Sequence, residues 1–172
     1  RTRRGKSLPR RNGIFGSFDG NSLGNFGGSS CGMMKLLADT MLARNGKVIG
    51  VFTKSLPEKL IRHDLTESII TENLAERKSE MLKHADAIVA LPGSIGTFDE
   101  LFDALAQKKL GAIRCPIGVL NVDGFFDPLF ELLKKSMDVG FTSERAFSML
   151  KSGRTPGELL ENMNKTVNGK GE

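Results

Sequence analysis

The sequence reads as an α/β protein with an open parallel sheet and helices on both faces. Short β-like runs alternate with helical patterns along the chain, and each run is opened or closed by Gly, Pro, Asn or Asp. With 172 residues and 39% apolar composition, the chain can bury the core of one ordinary domain.

Each element follows from its own residues. A weak strand over Gly13 to Phe18 is followed by the turn residues Asp19, Gly20 and Asn21, and a second extended piece spans Leu23 to Phe26. Only a few residues separate them, so the first βα unit is short. The second piece runs into the glycine-rich segment Gly27, Gly28, Ser29, Ser30, Cys31 and Gly32. Met34, Leu37, Ala38, Met41 and Leu42 then recur at helical spacing, with Asn45-Gly46 as the stop. Lys47 to Thr53 is a buried strand. A helix from about Thr71 to His84 leads into the strand Ala87 to Leu91 and the loop Pro92, Gly93, Ser94, Ile95, Gly96. In the next helix Phe98, Leu101, Phe102, Leu105 and Ala106 form one apolar stripe, and Thr97 and Glu100 have capping-box spacing. Ile117 to Val122 is a strand closed by Asp123-Gly124. Asp127 caps a helix whose first residue is Pro128, and Gly140 ends it. Two further helices follow, the last opened by Thr155, Pro156 and Glu158. The folded domain is expected over residues 13–167, between a basic arm at 1–12 and a fraying polar tail at 168–172.

Charge and composition narrow the function classes. The net charge is +5, yet Arg1, Arg3, Arg4, Lys6, Arg10 and Arg11 supply six positive charges within the first eleven residues, so the remainder sums to −1. With no aromatic residue interleaved in that arm and no basic stripe elsewhere, nucleic acid is not the expected partner. The arm reads instead as a solvated tail, a vector remnant or the end of an Arg-rich targeting peptide, and the absence of an initial Met fits a fragment or a processed chain. No apolar run approaches the roughly 18 residues of a membrane span, so a soluble protein without a membrane partner is expected. Cys31, Cys115, His63 and His84 are too few and too scattered for a disulfide framework or a zinc site. A reducing, cytoplasmic setting follows, with nuclear location and organelle import left open.

Chemistry gathers at two glycine-rich loops, Gly27 to Gly32 and Gly93 to Gly96, each between a strand and a helix. Glycine lets the backbone approach a ligand, and the helix behind offers unpaired N–H groups and the positive end of its dipole. Two such loops in one small domain point to a ligand bearing phosphate. Neither has the P-loop spacing, and neither reads G-x-G-x-x-G, so kinase, NTPase and dinucleotide dehydrogenase readings lose ground.

Arg77 and Lys78 fall on the helix face that Leu74, Met81 and Ala85 mark as apolar. Either their stems snorkel past the core edge to water, or a partner balances them; Glu80, three residues after Arg77, is one candidate. Glu100 also has two readings. It is the structural partner of Thr97 in a capping box, or it is a carboxylate behind the Gly93 to Gly96 loop, about 200° around the helix from Phe98 and close to whatever that loop holds. Arg77 and Lys78 are candidates to balance it.

The stretch Glu76 to Glu100, ERKSEMLKHADAIVALPGSIGTFDE, resembles the Lonely Guy family, whose marks are an Arg-Lys pair and P-G-G-x-G-T-x-x-E. The similarity continues through CPIGVLNVDGFFDPL and covers roughly residues 25 to 165. The family comprises cytokinin riboside 5′-monophosphate phosphoribohydrolases, once mislabelled lysine decarboxylases. The resemblance implies a Rossmann-like fold, a nucleoside 5′-monophosphate as substrate, no cofactor and no metal. It places Arg77 and Glu100 on the two catalytic positions, and Gly93, Ser94, Ile95, Gly96 and Thr97 on the phosphate loop. Gly28, Ser29, Gly32 and Met33 fall on the family's earlier glycine loop, and Lys78 and Glu80 on further pocket positions. It also implies a homodimer, since relatives pair through helices next to the site. Ser94 replaces the second glycine of the main motif, and the earlier loop, GGSSCGMM, departs from the family's G-G-G-S-x-G-L-M.

In the reaction so implied, a carboxylate stabilises the oxocarbenium-like state of glycosidic cleavage. That is Glu100, as nucleophile or as activator of water. Arg77 holds Glu100 ionised and oriented, and the two loops fix the 5′-phosphate. Three rival readings share the fold: a phosphate-binding module without turnover, a nucleosidase of broad base specificity, and an inactive variant.

Overall fold

Every pair of neighbouring strands among the described residues is parallel, as a chain of alternating strands and helices requires. The computed structural model describes residues 12–13, 23–26, 32–57, 61, 63–83 and 85–168, in two compact units, Arg1–Ala85 and Asp86–Glu172.

The first unit holds β1 (Asn12–Gly13), β2 (Leu23–Phe26), α1 (Gly32–Ala43), β3 (Lys47–Thr53), β4 (Glu67–Thr71) and α2 (Leu74–Lys83). Its strands pair in the order β1-β2-β3-β4, with Phe26 opposite Gly50 and Thr53 opposite Thr71. Four consecutive residues of β3, Gly50 to Thr53, are buried, so both faces of that strand are covered. On one face α1 sets Ala38 and Met41 against Val48, with Leu37, Leu42 and Leu65 around them. Met41 reaches the sheet because β2 carries glycine opposite it: a Cβ on Gly24 would stand 2.6 Å from the Met41 sulfur. Asn45 closes α1 in the left-handed region (φ 59), where Asn is tolerated, and Gly46 N–H donates to Met41 O at 2.8 Å.

Of the expected first strand, Gly13 to Phe18, only Gly13 falls among the described residues; the basic arm up to Arg11 lies outside them. Two further expectations are corrected here. Thr71 ends a strand, β4, that the sequence pattern did not reveal, and the helix expected to start there begins at Leu74. Leu74, assigned to the buried stripe, is the first helical residue and 60% exposed, so the core contacts of α2 come from Met81 and Leu82.

The second unit holds β5 (Ile88–Ala90), α3 (Ile95–Lys109), β6 (Ile117–Leu120), α4 (Asp127–Asp138), α5 (Glu144–Phe147), β7 (Leu150–Gly153) and α6 (Pro156–Asn168), with strand order β5-β6-β7. Neither sheet contains a reversal of strand order, so the switch point of a doubly wound sheet is not found inside either one. Ile117 and Val119 are fully buried, and Gly118 between them admits α6: a Cβ there would stand 2.7 Å from Leu159 and from Met163. Gly153 is tighter still, its virtual Cβ lying 2.3 Å from the Leu159 backbone nitrogen.

The expected capping of α6 is present, with Glu158 N–H donating to Thr155 Oγ1 at 3.2 Å and Arg154 N–H to Glu158 Oε2 at 2.8 Å. α4 starts one residue earlier than expected, with Phe126 at the cap position, Asp127 as the first helical residue and Pro128 after it. β7 lies between the two further helices expected after Gly140, where no strand was expected. In α3 the buried side chains are Leu101 and Ala104, whereas Phe102 and Ala106 of the expected stripe are exposed.

Candidate functional site

In the first unit the candidate residues sit at the starts of α1 and α2. Gly32 opens α1 with φ +60, a conformation that disfavours side chains, and Met33 beside it is exposed. Gly27, Gly28, Ser29, Ser30 and Cys31 lie outside the described residues.

The start of α2 is held by side chains. Asn73 Oδ1 accepts from Glu76 N–H at 2.9 Å. The Glu76 carboxylate accepts from Glu72 N–H at 2.9 Å and from Asn73 Nδ2 at 3.3 Å. Arg77 is the fourth helical residue, and its N–H donates to Asn73 O at 3.1 Å. Its half-buried side chain reaches back to the sheet, where Nε donates to Val51 O on β3 at 2.9 Å. The cation predicted to point toward the core thus has a backbone carbonyl as a partner. The neighbouring carbonyl, Phe52 O, accepts from the buried Thr71 hydroxyl at 2.8 Å. Lys78, next on the same turn, is also half-buried. Glu80, offered by spacing as a partner of Arg77, pairs with Lys83 at 3.5 Å.

In the second unit the main glycine motif forms the start of α3. Ser94 occupies the N-cap position with an extended backbone, and its side chain makes no cap hydrogen bond. Its carbonyl accepts from Thr97 N–H at 3.0 Å and Phe98 N–H at 3.2 Å. Ile95 and Gly96, expected in the loop, are the first two helical residues, where N–H groups have no acceptor inside the helix. Gly93, Ser94, Ile95 and Gly96 are all exposed, and a Cβ on Gly96 would meet nothing within 4 Å. Gly93 is different: its virtual Cβ would be 2.1 Å from Thr97 Oγ1, so that corner admits only glycine without a shift of Thr97.

The capping box expected of Thr97 and Glu100 is not formed, because the helix starts two residues before Thr97 and the cap position is Ser94. Glu100 is the sixth residue of α3 and lies in its second turn, not its first. It follows Gly96 by four positions and Thr97 by three, which puts the three on one helix face. Phe98 turns the other way, packing edge-on against the buried Phe126 with ring centroids 6.3 Å apart.

Asn73 and Asn121 were not among the residues the sequence reading selected. Asn121, buried at the carboxyl end of β6, donates through Nδ2 to Asp127 Oδ1 and accepts from Phe126 N–H, both at 2.7 Å. It holds the turn in which Asp123 and Gly124 have φ 51 and 74. Its sequence signal is a lone Asn between an apolar run and Asp-Gly. At the far end of α3, Lys108 Nζ donates to Cys115 O at 2.5 Å. Burial pushes the Lys108 amine down and the Cys115 thiol up.

Chemically, the start of α3 offers converging amides and a positive dipole end suited to an anion, with a carboxylate one turn further on. α2 supplies an anchored guanidinium.

Comparison with known proteins bears on both halves. A family model described as "possible lysine decarboxylase" matches residues 34–163. The chain is 40% identical over 136 residues to the "probable cytokinin riboside 5′-monophosphate phosphoribohydrolase LOG4" of Oryza sativa subsp. japonica, covering 78% of this chain and 59% of that protein. It is 37% identical over 137 residues to the cytokinin riboside 5′-monophosphate phosphoribohydrolase LOG2 of Arabidopsis thaliana, covering 79% of this chain and 64% of that protein. The chain thus spans less than two thirds of the length of either relative. The solved structure of the molybdenum cofactor binding protein from Rippkaea orientalis shares the fold, with a TM-score of 0.62 at 18% identity over 86% of this chain and 78% of that one.

Proposed function

Because this chain belongs to the Lonely Guy family, the family whose model carries the lysine decarboxylase description, we propose that it hydrolyses the N-glycosidic bond of a nucleoside 5′-monophosphate. The substrate is cytokinin riboside 5′-monophosphate or an AMP-like nucleotide, and the products are the free base and ribose 5-phosphate. The observation that carries the reading is the open start of α3: Ile95 and Gly96 are exposed and their N–H groups have no acceptor inside the helix, with Glu100 one turn beyond Gly96 on the same face.

In this reading the 5′-phosphate rests on the amides of Gly93 to Gly96, helped by the Thr97 hydroxyl and by Gly28, Ser29, Gly32 and Met33 of the earlier loop. Binding the phosphate holds the ribose in place, so that its binding energy is used to orient the bond to be broken. As the bond to the base lengthens, positive charge grows on the anomeric carbon and ring oxygen, and the Glu100 carboxylate stabilises it. Arg77 is the second catalytic residue of this reading, and Lys78 and Glu80 are its further polar residues. The reading requires the Arg77 guanidinium and the Glu100 carboxylate to act on one ribose.

The reading extends to assembly and location: a homodimer formed through helices beside the site, in the cytoplasm. Exposed apolar side chains on and just after α3, Phe102 and Leu110, favour such pairing. Among the described residues no helix is long and apolar enough to cross a membrane. Sedimentation should show a dimer, and a monomer at every concentration would remove that part.

The central test is release of free base from AMP and isopentenyladenosine monophosphate by the wild-type chain and Glu100→Gln. The wild type is expected to release base, with a loss of about a hundredfold or more in the variant and retained AMP binding by calorimetry. Binding without base release in the wild type would favour the non-catalytic module.

A further inference from the structure

We propose that Asn73 is a positioning residue for Arg77, an inference that rests on the role given to Arg77 above. Arg77 lies in the first turn of α2, where a helix frays unless its terminal amides find partners. Asn73 meets that need with its side chain. Its side-chain oxygen accepts from Glu76 N–H, and its main-chain oxygen accepts from the N–H of Arg77 itself. Glu76 answers by accepting from Glu72 N–H and from the Asn73 amide, so the cap is closed from both sides.

The side chain of Arg77 is fixed at a second point, Val51 O on β3. Its two anchors are therefore a helix start and a strand, and the strand bond survives only while the first turn of α2 holds the Arg77 Cα in register. The Thr71 hydroxyl strengthens the link. It donates to Phe52 O at 2.8 Å and lies 3.3 Å from Asn73 O, so the cap residue is tied to the same strand. The strand anchor uses Nε, the donor nearest the chain. Asn73 makes none of this chemistry. It decides where the guanidinium stands.

The test compares Asn73→Ala, which deletes the cap, with Asn73→Asp, which caps as well as Asn, and with Glu76→Ala, which removes the reciprocal half. Hydrogen exchange of the Arg77 Nε–H, followed by NMR in the ligand-free chain, reads the anchor without reference to turnover. It should be slow in wild type and Asn73→Asp and at least about tenfold faster in Asn73→Ala, with Glu76→Ala between them. AMP hydrolysis should follow the same order, Asn73→Ala losing about tenfold or more in kcat with KM little changed, since a misplaced group near the reacting atoms costs rate. Arg77 Nε–H exchange as slow in Asn73→Ala as in wild type would overturn the proposal, as would an Asn73→Asp variant no better than Asn73→Ala. If the wild type itself releases no base, the proposed reaction fails while the exchange measurement still decides the anchor.

Discussion

Helix α2 begins on a closed cap and helix α3 on an open one, and the two starts do different work. At α2, Asn73 and Glu76 satisfy terminal amides with side chains, and the turn so fixed carries Arg77, whose side chain is tied to β3. At α3, Ser94 has the right residue type and position for a cap, yet its hydroxyl makes no such bond, and the next two residues are exposed. A helix start closed by its own side chains can hold a functional group still. One left open can receive an anion from outside, at the cost of the stability a cap would supply.

The largest effect should come from the corner that shapes the open start. Gly93→Ala sets a methyl 2.1 Å from Thr97 Oγ1 unless Thr97 moves, which is expected to cost about 1–3 kcal/mol of stability by overpacking and to weaken AMP binding. Thermal unfolding and calorimetry measure both, and a variant unchanged in both would detach this loop from the proposed phosphate site. Next in size is the direct comparison of caps. Asn73→Ala should lose about 1 kcal/mol in urea unfolding, as removal of a working N-cap does, whereas Ser94→Ala should lose only a few tenths; equal losses would erase the difference between the two starts.

The smallest effect concerns the far end of α3, where Lys108 meets the Cys115 carbonyl. Burial raises the Cys115 thiol, so the unfolded chain gives up that proton first and stability falls as pH rises through the thiol range. Burial lowers the Lys108 amine, so the folded chain holds its proton less well and stability gains as pH rises through the same alkaline window. The two trends oppose. Cys115→Ala should therefore gain stability relative to wild type between neutral and alkaline pH, and a flat difference between the two melting curves would refute the assignment.

The alternation of apolar runs and turn residues was enough to place most elements, Lys47–Thr53 to the residue, because a strand buried on both faces leaves a continuous apolar signature. β4 and β7 escaped for the opposite reason. Of Glu67–Thr71 only Thr71 is buried, and Leu150–Gly153 reads LKSG, so neither carries the apolar pattern; their places come from pairing with β3 and β6. The motif around Gly93 was visible from its glycines. Its cap was not, since Thr97 and Glu100 have the spacing of a capping box and only the backbone decides that the helix starts earlier. The partner of Arg77 was equally hidden, because a main-chain carbonyl 26 positions away has no residue type to announce it.

Gly153 carries one more lesson. Where its side chain would be, the backbone of α6 passes, with Leu159 N only 2.3 Å from the virtual methyl position. The terminal helix is therefore seated by a keyway cut into the sheet as well as by greasy contact, and a keyway recognises depth where a greasy surface recognises little. Such a fit resists sliding along the strand, so the C-terminal segment docks in one register or stays undocked.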